Sequence, residues 1–209
     1  MNILIKQSKI LDPGSRHNGK IMDILIETGI IKSISNKIHF KGKIFTANNL
    51  HVSPGWFDMH VNFRDPGEEQ KEDIISGCRA AAYGGFTGVA CMPGTNPPLH
   101  TKADIEYVKN KANANLVDVY PIGAISHNLE GKEMTELYDM HLSGAVAFSD
   151  DKKSVANAGL LLRSLIYINS FNGLIISHSE DKNISLDGKM NESEMSASLG
   201  LTGMPGLAE

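Results

Sequence analysis

Residues Pro54–Gly67, PGWFDMHVNFRDPG, join a Pro-Gly turn to a short apolar run that ends in polar residues at alternate positions. Residues two apart in a strand share a face, so His60, Asn62 and Arg64 are predicted to point the same way from one strand end. An imidazole, an amide and a guanidinium aimed at one spot are binding chemistry. The fold therefore turns on what this strand belongs to.

Downstream of it the pattern is strand then helix, repeated. Short apolar runs at 56–62, 86–92, 117–124, 144–149 and 173–178 read as parallel strands buried on both faces. Helices are predicted between them, over 71–84 and near 102–113, 131–140 and 155–171. Upstream, residues 1–52 read as a small β domain, rich in isoleucine and punctuated by Asp12-Pro-Gly14 and Thr28-Gly29. Some 50 residues bury little surface, so this part is expected to lean on something larger.

Repeated βα units mean a doubly wound sheet or a barrel. No G-x-G-x-x-G turn follows a strand, as a doubly wound nucleotide fold would favour. Polar residues collect instead at strand ends: His60, Asn62 and Arg64, then Asp150 and Asp151, then His178. That is the rim where a (β/α)8 TIM barrel keeps its active site. Residues 53–209 fall short of the roughly 250 a full barrel takes. The final segment reads as leading into another helix, so a barrel incomplete in this chain is expected, whether the chain is a fragment or the whole.

The net charge of −4 offers no footprint for nucleic acid. No apolar run approaches the ~18 residues of a membrane span, and the N-terminus lacks the make-up of a signal peptide. Cys78 and Cys91 sit in apolar segments without paired spacing and read as reduced thiols, which fits a cytoplasmic protein.

Two imidazoles and a carboxylate, His60, Asp151 and His178, are the ligand types of a borderline metal such as zinc. Each has a plainer alternative. A histidine at a strand end is more often a hydrogen-bonded structural residue, SDDKK suits a helix N-terminus, and Arg64-Asp65 suits a surface ion pair. Their joint placement around one barrel mouth favours the metal.

The opening stretch also resembles the dihydroorotase signature P-G-x-x-D-x-H-x-H-x-R-[ED]-P-G. The similarity runs on through KEDIISGCRAAAYGGFTGVACMPGTNPP, GAVAFSDD, ISHSED and GKMNESEMSASLGLTGMPGLAE, and covers nearly the whole chain. It implies an amidohydrolase barrel with a small β-sandwich. The implied reaction interconverts N-carbamoyl-L-aspartate and L-dihydroorotate, with metal-bound hydroxide attacking the ring amide in the hydrolytic direction. It assigns His60, Asn62, Asp151 and His178 to one or two Zn2+ positions and Arg64 to the substrate carboxylate. The related dihydropyrimidinases and hydantoinases use a carboxylated lysine at the end of strand four, where GAVAFSDD has none.

The chain departs from the pattern twice. Asn62 stands where the family has a second histidine, which predicts a weakened first zinc site. Gly94 stands where the family has a substrate-binding Asn, leaving nearby Asn96 as the substitute. The general base is expected beyond Glu209. Two functions follow: a dihydroorotase acting as a homo-oligomer, or a catalytically silent relative that scaffolds a partner such as aspartate transcarbamoylase.

Overall fold

A computed structural model describes residues 2–209. The chain divides into two compact units, 1–55 and 56–209. In the first unit, β1 (Ile3–Ile10), β2 (Ile21–Glu27), β3 (Ile30–Ser35), β4 (Lys43–Phe45) and β5 (His51–Val52) form one mixed sheet. The order is β3-β2-β1-β4, with β5 also on β1. Strands β2 and β3 pair antiparallel from Glu27 opposite Ile30. The two residues between them, Thr28 and Gly29, both have positive φ, at 51° and 84°. That is the hairpin turn whose twist matches its strands, which is why Thr-Gly marks it in sequence. Ile10, Met22 and Ile24 bury the inward face. The β-sandwich expected for this part is a single layer among the described residues.

The second unit carries the site. Strands β6 (Trp56–Val61), β7 (Phe86–Cys91), β8 (Asp118–Gly123) and β9 (Ala147–Phe148) pair in parallel in that order. They form a curled half-barrel. Helices α1 (Ile74–Tyr83), α2 (Lys102–Ala112), α3 (Leu137–Leu142) and α4 (Ala158–Asn169) follow the strands. Strand-side and helix-side residues alternate as the parallel pleat requires. Val89 and Cys91 join the large core with Ile74, Cys78 and Ile105, while Ala90 and Met92 pack on the other face with Ile122 and Ala147. Asp73 caps α1 by accepting from Ile75 and Ser76 N–H, and Thr101 caps α2 through Asp104 N–H.

Three expectations shift. The fifth strand, placed at 173–178, is reduced to a single parallel bridge from Ile175 to Phe148 at the open edge of the sheet. The helix placed at 131–140 starts at Leu137, because residues 126–135 are tied into a loop: Thr135 Oγ1 donates to Ala124 O at 2.7 Å and Ser126 bridges to Met134. The helix placed at 155–171 starts at Ala158, where Asn157 Oδ1 accepts from Leu160 N–H. Beyond it the chain makes α5 (Lys182–Ser185), a two-strand pair of β10 (Met190–Asn191) and β11 (Gly203–Met204), and α6 (Glu194–Leu199) between them. No helix among the described residues is long and apolar enough to cross a membrane.

Candidate active site

The turn after β6 delivers Arg64. Val61 and Phe63 pack into the helix-side core, which leads the chain to the rim. Arg64 then adopts φ +60°, and its carbonyl accepts from Glu68 N–H at 2.9 Å, closing the turn. Asp65 is not the surface partner of Arg64. It is fully buried and takes bonds from Ile74 N–H (3.1 Å), Tyr107 Oη (2.8 Å) and Lys111 Nζ (2.7 Å). One carboxylate thus pins the turn to the start of α1 and to the face of α2. The bond to Asp65, with Tyr107 adding to it, holds the Lys111 ammonium well above the ordinary lysine range.

Gly67 fixes the other side of this turn. It sits at φ +94°, and a Cβ there would lie 1.8 Å from Asn96 O. Only glycine permits that approach. Asn96 N–H donates back to Pro66 O at 3.0 Å. The peptide bonds before Pro66 and Pro97 are both cis. The Gly67 approach and the Asn96–Pro66 bond hold the loop after β7 against the Arg64 turn, and Arg64 Nη1 donates to Gly94 O at 3.1 Å.

After β9 two adjacent carboxylates separate in role. Asp150 Oδ1 accepts from the N–H groups of Ile125 (3.0 Å) and Ser126 (2.9 Å), and Ser126 Oγ donates to Oδ2. Asp150 is a structural anchor. Asp151, at φ +56°, is buried, yet its Oδ1 has no hydrogen-bond partner and lies 3.7 Å from His60 Nε2. Its Oδ2 occupies the space beside Gly94, where an added Cβ would meet it at 2.0 Å. The absence of a side chain at position 94 therefore has a structural use: it admits the Asp151 carboxylate.

Arg64, Glu68, Gly94, Asn96, Asp151 and Lys152 line one cleft of about 410 Å³. A larger hollow of about 590 Å³, between Cys78, Arg79, Tyr83 and Leu116, contains none of these groups. Convergent polar chemistry, and not size, selects the smaller cleft.

The structure thus unites Arg64, Asn96 and Asp151 in the cleft and sets His60 against Asp151. It does not bring the other two predicted residues there. Asn62 borders a separate hollow with Val61, Phe63 and Ala81, its Oδ1 buried and without a partner. His178 Nε2 lies 3.3 Å from Glu180 Oε2. Among the described residues no three His, Cys, Asp or Glu side chains gather to hold a metal. The pair that remains does suit zinc. Two ligands on a tetrahedral zinc at ~2.05 Å stand about 3.3 Å apart, close to the 3.7 Å between His60 Nε2 and Asp151 Oδ1. A buried carboxylate oxygen without a donor is costly unless a cation answers it.

Sequence reasoning missed Glu68, Tyr107 and Lys111. Lys111 lies 46 residues from Asp65, and nothing local marks the pair.

Residues 50–209 match the family model described as dihydro-orotase-like. The chain is 45% identical over 211 residues to a dihydroorotase of Ruminiclostridium cellulolyticum, covering 100% of this chain and 49% of that protein. It is 46% identical over 209 residues to one of Acetivibrio thermocellus, covering 99% and 49%. The chain spans about half the length of the curated relatives it matches. Among solved structures, L-hydantoinase from Arthrobacter aurescens superposes with a TM-score of 0.73 at 26% identity, covering 87% of this chain and 41% of that one. A dihydroorotase crystal structure superposes at 0.60 with 12% identity over 83% and 50%, a likeness of fold.

Proposed function

Because the chain belongs to the dihydro-orotase-like family, we propose that it forms the carboxylate-binding and zinc-facing side of a dihydroorotase site. The reaction is the interconversion of N-carbamoyl-L-aspartate and L-dihydroorotate in cytoplasmic pyrimidine synthesis. One observation carries this reading: a buried, unpartnered Asp151 oxygen faces His60 and shares a cleft with Arg64.

In this reading Arg64 grips the substrate carboxylate with its planar fork, which fixes the ring's orientation in the cleft. Asn96 offers an amide on the same wall and takes the place of the side chain that Gly94 lacks. His60 and Asp151 would hold the zinc. The ion would supply Lewis acidity at the amide carbonyl and make water a better nucleophile. Asn62 and His178, the other ligands the resemblance implies, lie outside this cleft.

A second reading is favoured by Asn62. A neutral amide where the family has an imidazole suits a catalytically silent subunit that scaffolds a partner such as aspartate transcarbamoylase. One experiment separates the two: zinc analysis of the full polypeptide paired with carbamoyl-aspartate cyclisation. The enzyme reading expects bound zinc, measurable cyclisation, and a rise in both on Asn62→His. A protein that neither binds zinc nor cyclises, with or without that substitution, is the silent subunit.

A further inference from the structure

The Arg64 fork already has a carboxylate beside it. Glu68 Oε2 lies 3.6 Å from Arg64 Nη1, and both residues line the cleft. The closed turn, with Glu68 N–H on Arg64 O, keeps the two side chains together. Glu68 has a second cation as well: its Oε1 takes a bond from Lys71 Nζ at 2.7 Å. We propose that Glu68 is a built-in competitor for the substrate carboxylate at Arg64 and so sets the affinity of the cleft. The proposal rests on reading Arg64 as the carboxylate clamp.

The physics is exchange between like charges. An incoming carboxylate reaches the fork only by displacing Glu68 or by approaching it against repulsion. Lys71 offers Glu68 a partner when it lets go, which lowers the cost of the exchange. The two neighbours therefore act in opposite directions. Without the Glu68 charge, Arg64 keeps its bond to Gly94 O but loses the competing carboxylate beside it. Without Lys71, Glu68 leans on Arg64 alone and the ligand is shut out more firmly. Both side chains of the Arg64–Glu68 pair are partly exposed, at 27% and 29%, so the effect is modest, about two- to five-fold each way.

The test is calorimetric titration of the full polypeptide with L-dihydroorotate and with its neutral carboxamide. Glu68→Gln should tighten dihydroorotate about two- to five-fold, and Lys71→Ala should loosen it by a similar factor. Neither should alter carboxamide binding. Glu68→Gln that leaves dihydroorotate unchanged, or tightens both ligands equally, overturns the proposal. Arg64→Ala separates this failure from a deeper one. If Arg64→Ala loses dihydroorotate while Glu68→Gln changes nothing, only the competitor is wrong. If Arg64→Ala binds as well as the parent, or if the parent and Glu68→Gln both bind neither ligand, the carboxylate clamp falls and the competitor with it.

Discussion

The turn after β6 and the segment after Ile176 both leave the half-barrel at the strand C-terminal ends, and both were expected to deliver site residues. The first is locked. Asp65 is buried under three donors, and Gly67 is pressed against Asn96 O. The second hangs on the sheet by one bridge, at Ile175, and its His178 ring turns to a neighbour two residues on. One serine hydroxyl, Ser154 Oγ, ties it back, sharing its bonds between His178 O (2.7 Å) and Glu180 O (2.6 Å). A strand end positions a side chain firmly when helices and loops grip it from both sides. An edge with one neighbour leaves the same side chain to local partners.

Breaking the firm side should cost most. Asp65→Ala removes the buried acceptor shared by a partly exposed ammonium, a phenol and a helix N–H, and should destabilise the chain by roughly 2–4 kcal/mol in urea unfolding. Lys111→Met should cost less, roughly 1–2 kcal/mol, since Asp65 keeps two donors. Its pH dependence has a definite sign. The folded pKa of Lys111 is raised, so its contribution is fully present below the unfolded value of about 10.4 and is lost as pH rises through the folded value. The Lys111→Met penalty should thus be the same at pH 7 and pH 9.

Gly94→Ala tests the rim between the two regions. The new Cβ meets a movable carboxylate oxygen, so the cost should be about 1 kcal/mol, at the low end for overpacking. In an Asp151→Ala background that cost should vanish, a coupling readable in a double-mutant cycle of urea midpoints. The loose side should show the smallest effect. Glu180 is depressed to about 2, first by Lys182, then by Ser185, against a smaller opposing effect of burial. A depressed carboxylate contributes above its unfolded pKa of about 4.3 and stops contributing as pH falls toward 2. Amide protection in residues 178–185, taken relative to the intrinsic exchange rate at each pH, should fall over that window in the parent, while Glu180→Gln should already show the reduced protection at pH 6.

The strands at β7 and β9 were legible as short, largely buried runs of small and apolar residues, whereas β6, also read as buried on both faces, is mostly exposed, with Trp56, Phe57 and Met59 open. The strand at 173–178 was over-read. GLIIS has the composition of a central strand, but pairing depends on a neighbour that local sequence does not name. The grouping of Arg64 and Asp151 in one cleft was legible where motif and backbone coincide. The site was opaque where partners are distant. Asp150 and Asp151 are indistinguishable by composition. Only the loop at Ile125 and Ser126 makes one an anchor and leaves the other with an empty oxygen. Gly94 looked like a loss, and the packing of Asp151 shows what it accommodates.

The proposed zinc position depends on Asp151 Oδ1 and His60 Nε2, which stand 3.7 Å apart. The most direct test is zinc affinity of the full polypeptide, measured by competition with a chelating dye, for the parent and for Asp151→Ala. Removing a direct ligand should cost at least the roughly 10–100-fold that outer partners of metal ligands cost, with the fold retained because Asp150 and not Asp151 anchors the loop. The same zinc affinity in Asp151→Ala as in the parent would rule out Asp151 as a zinc ligand.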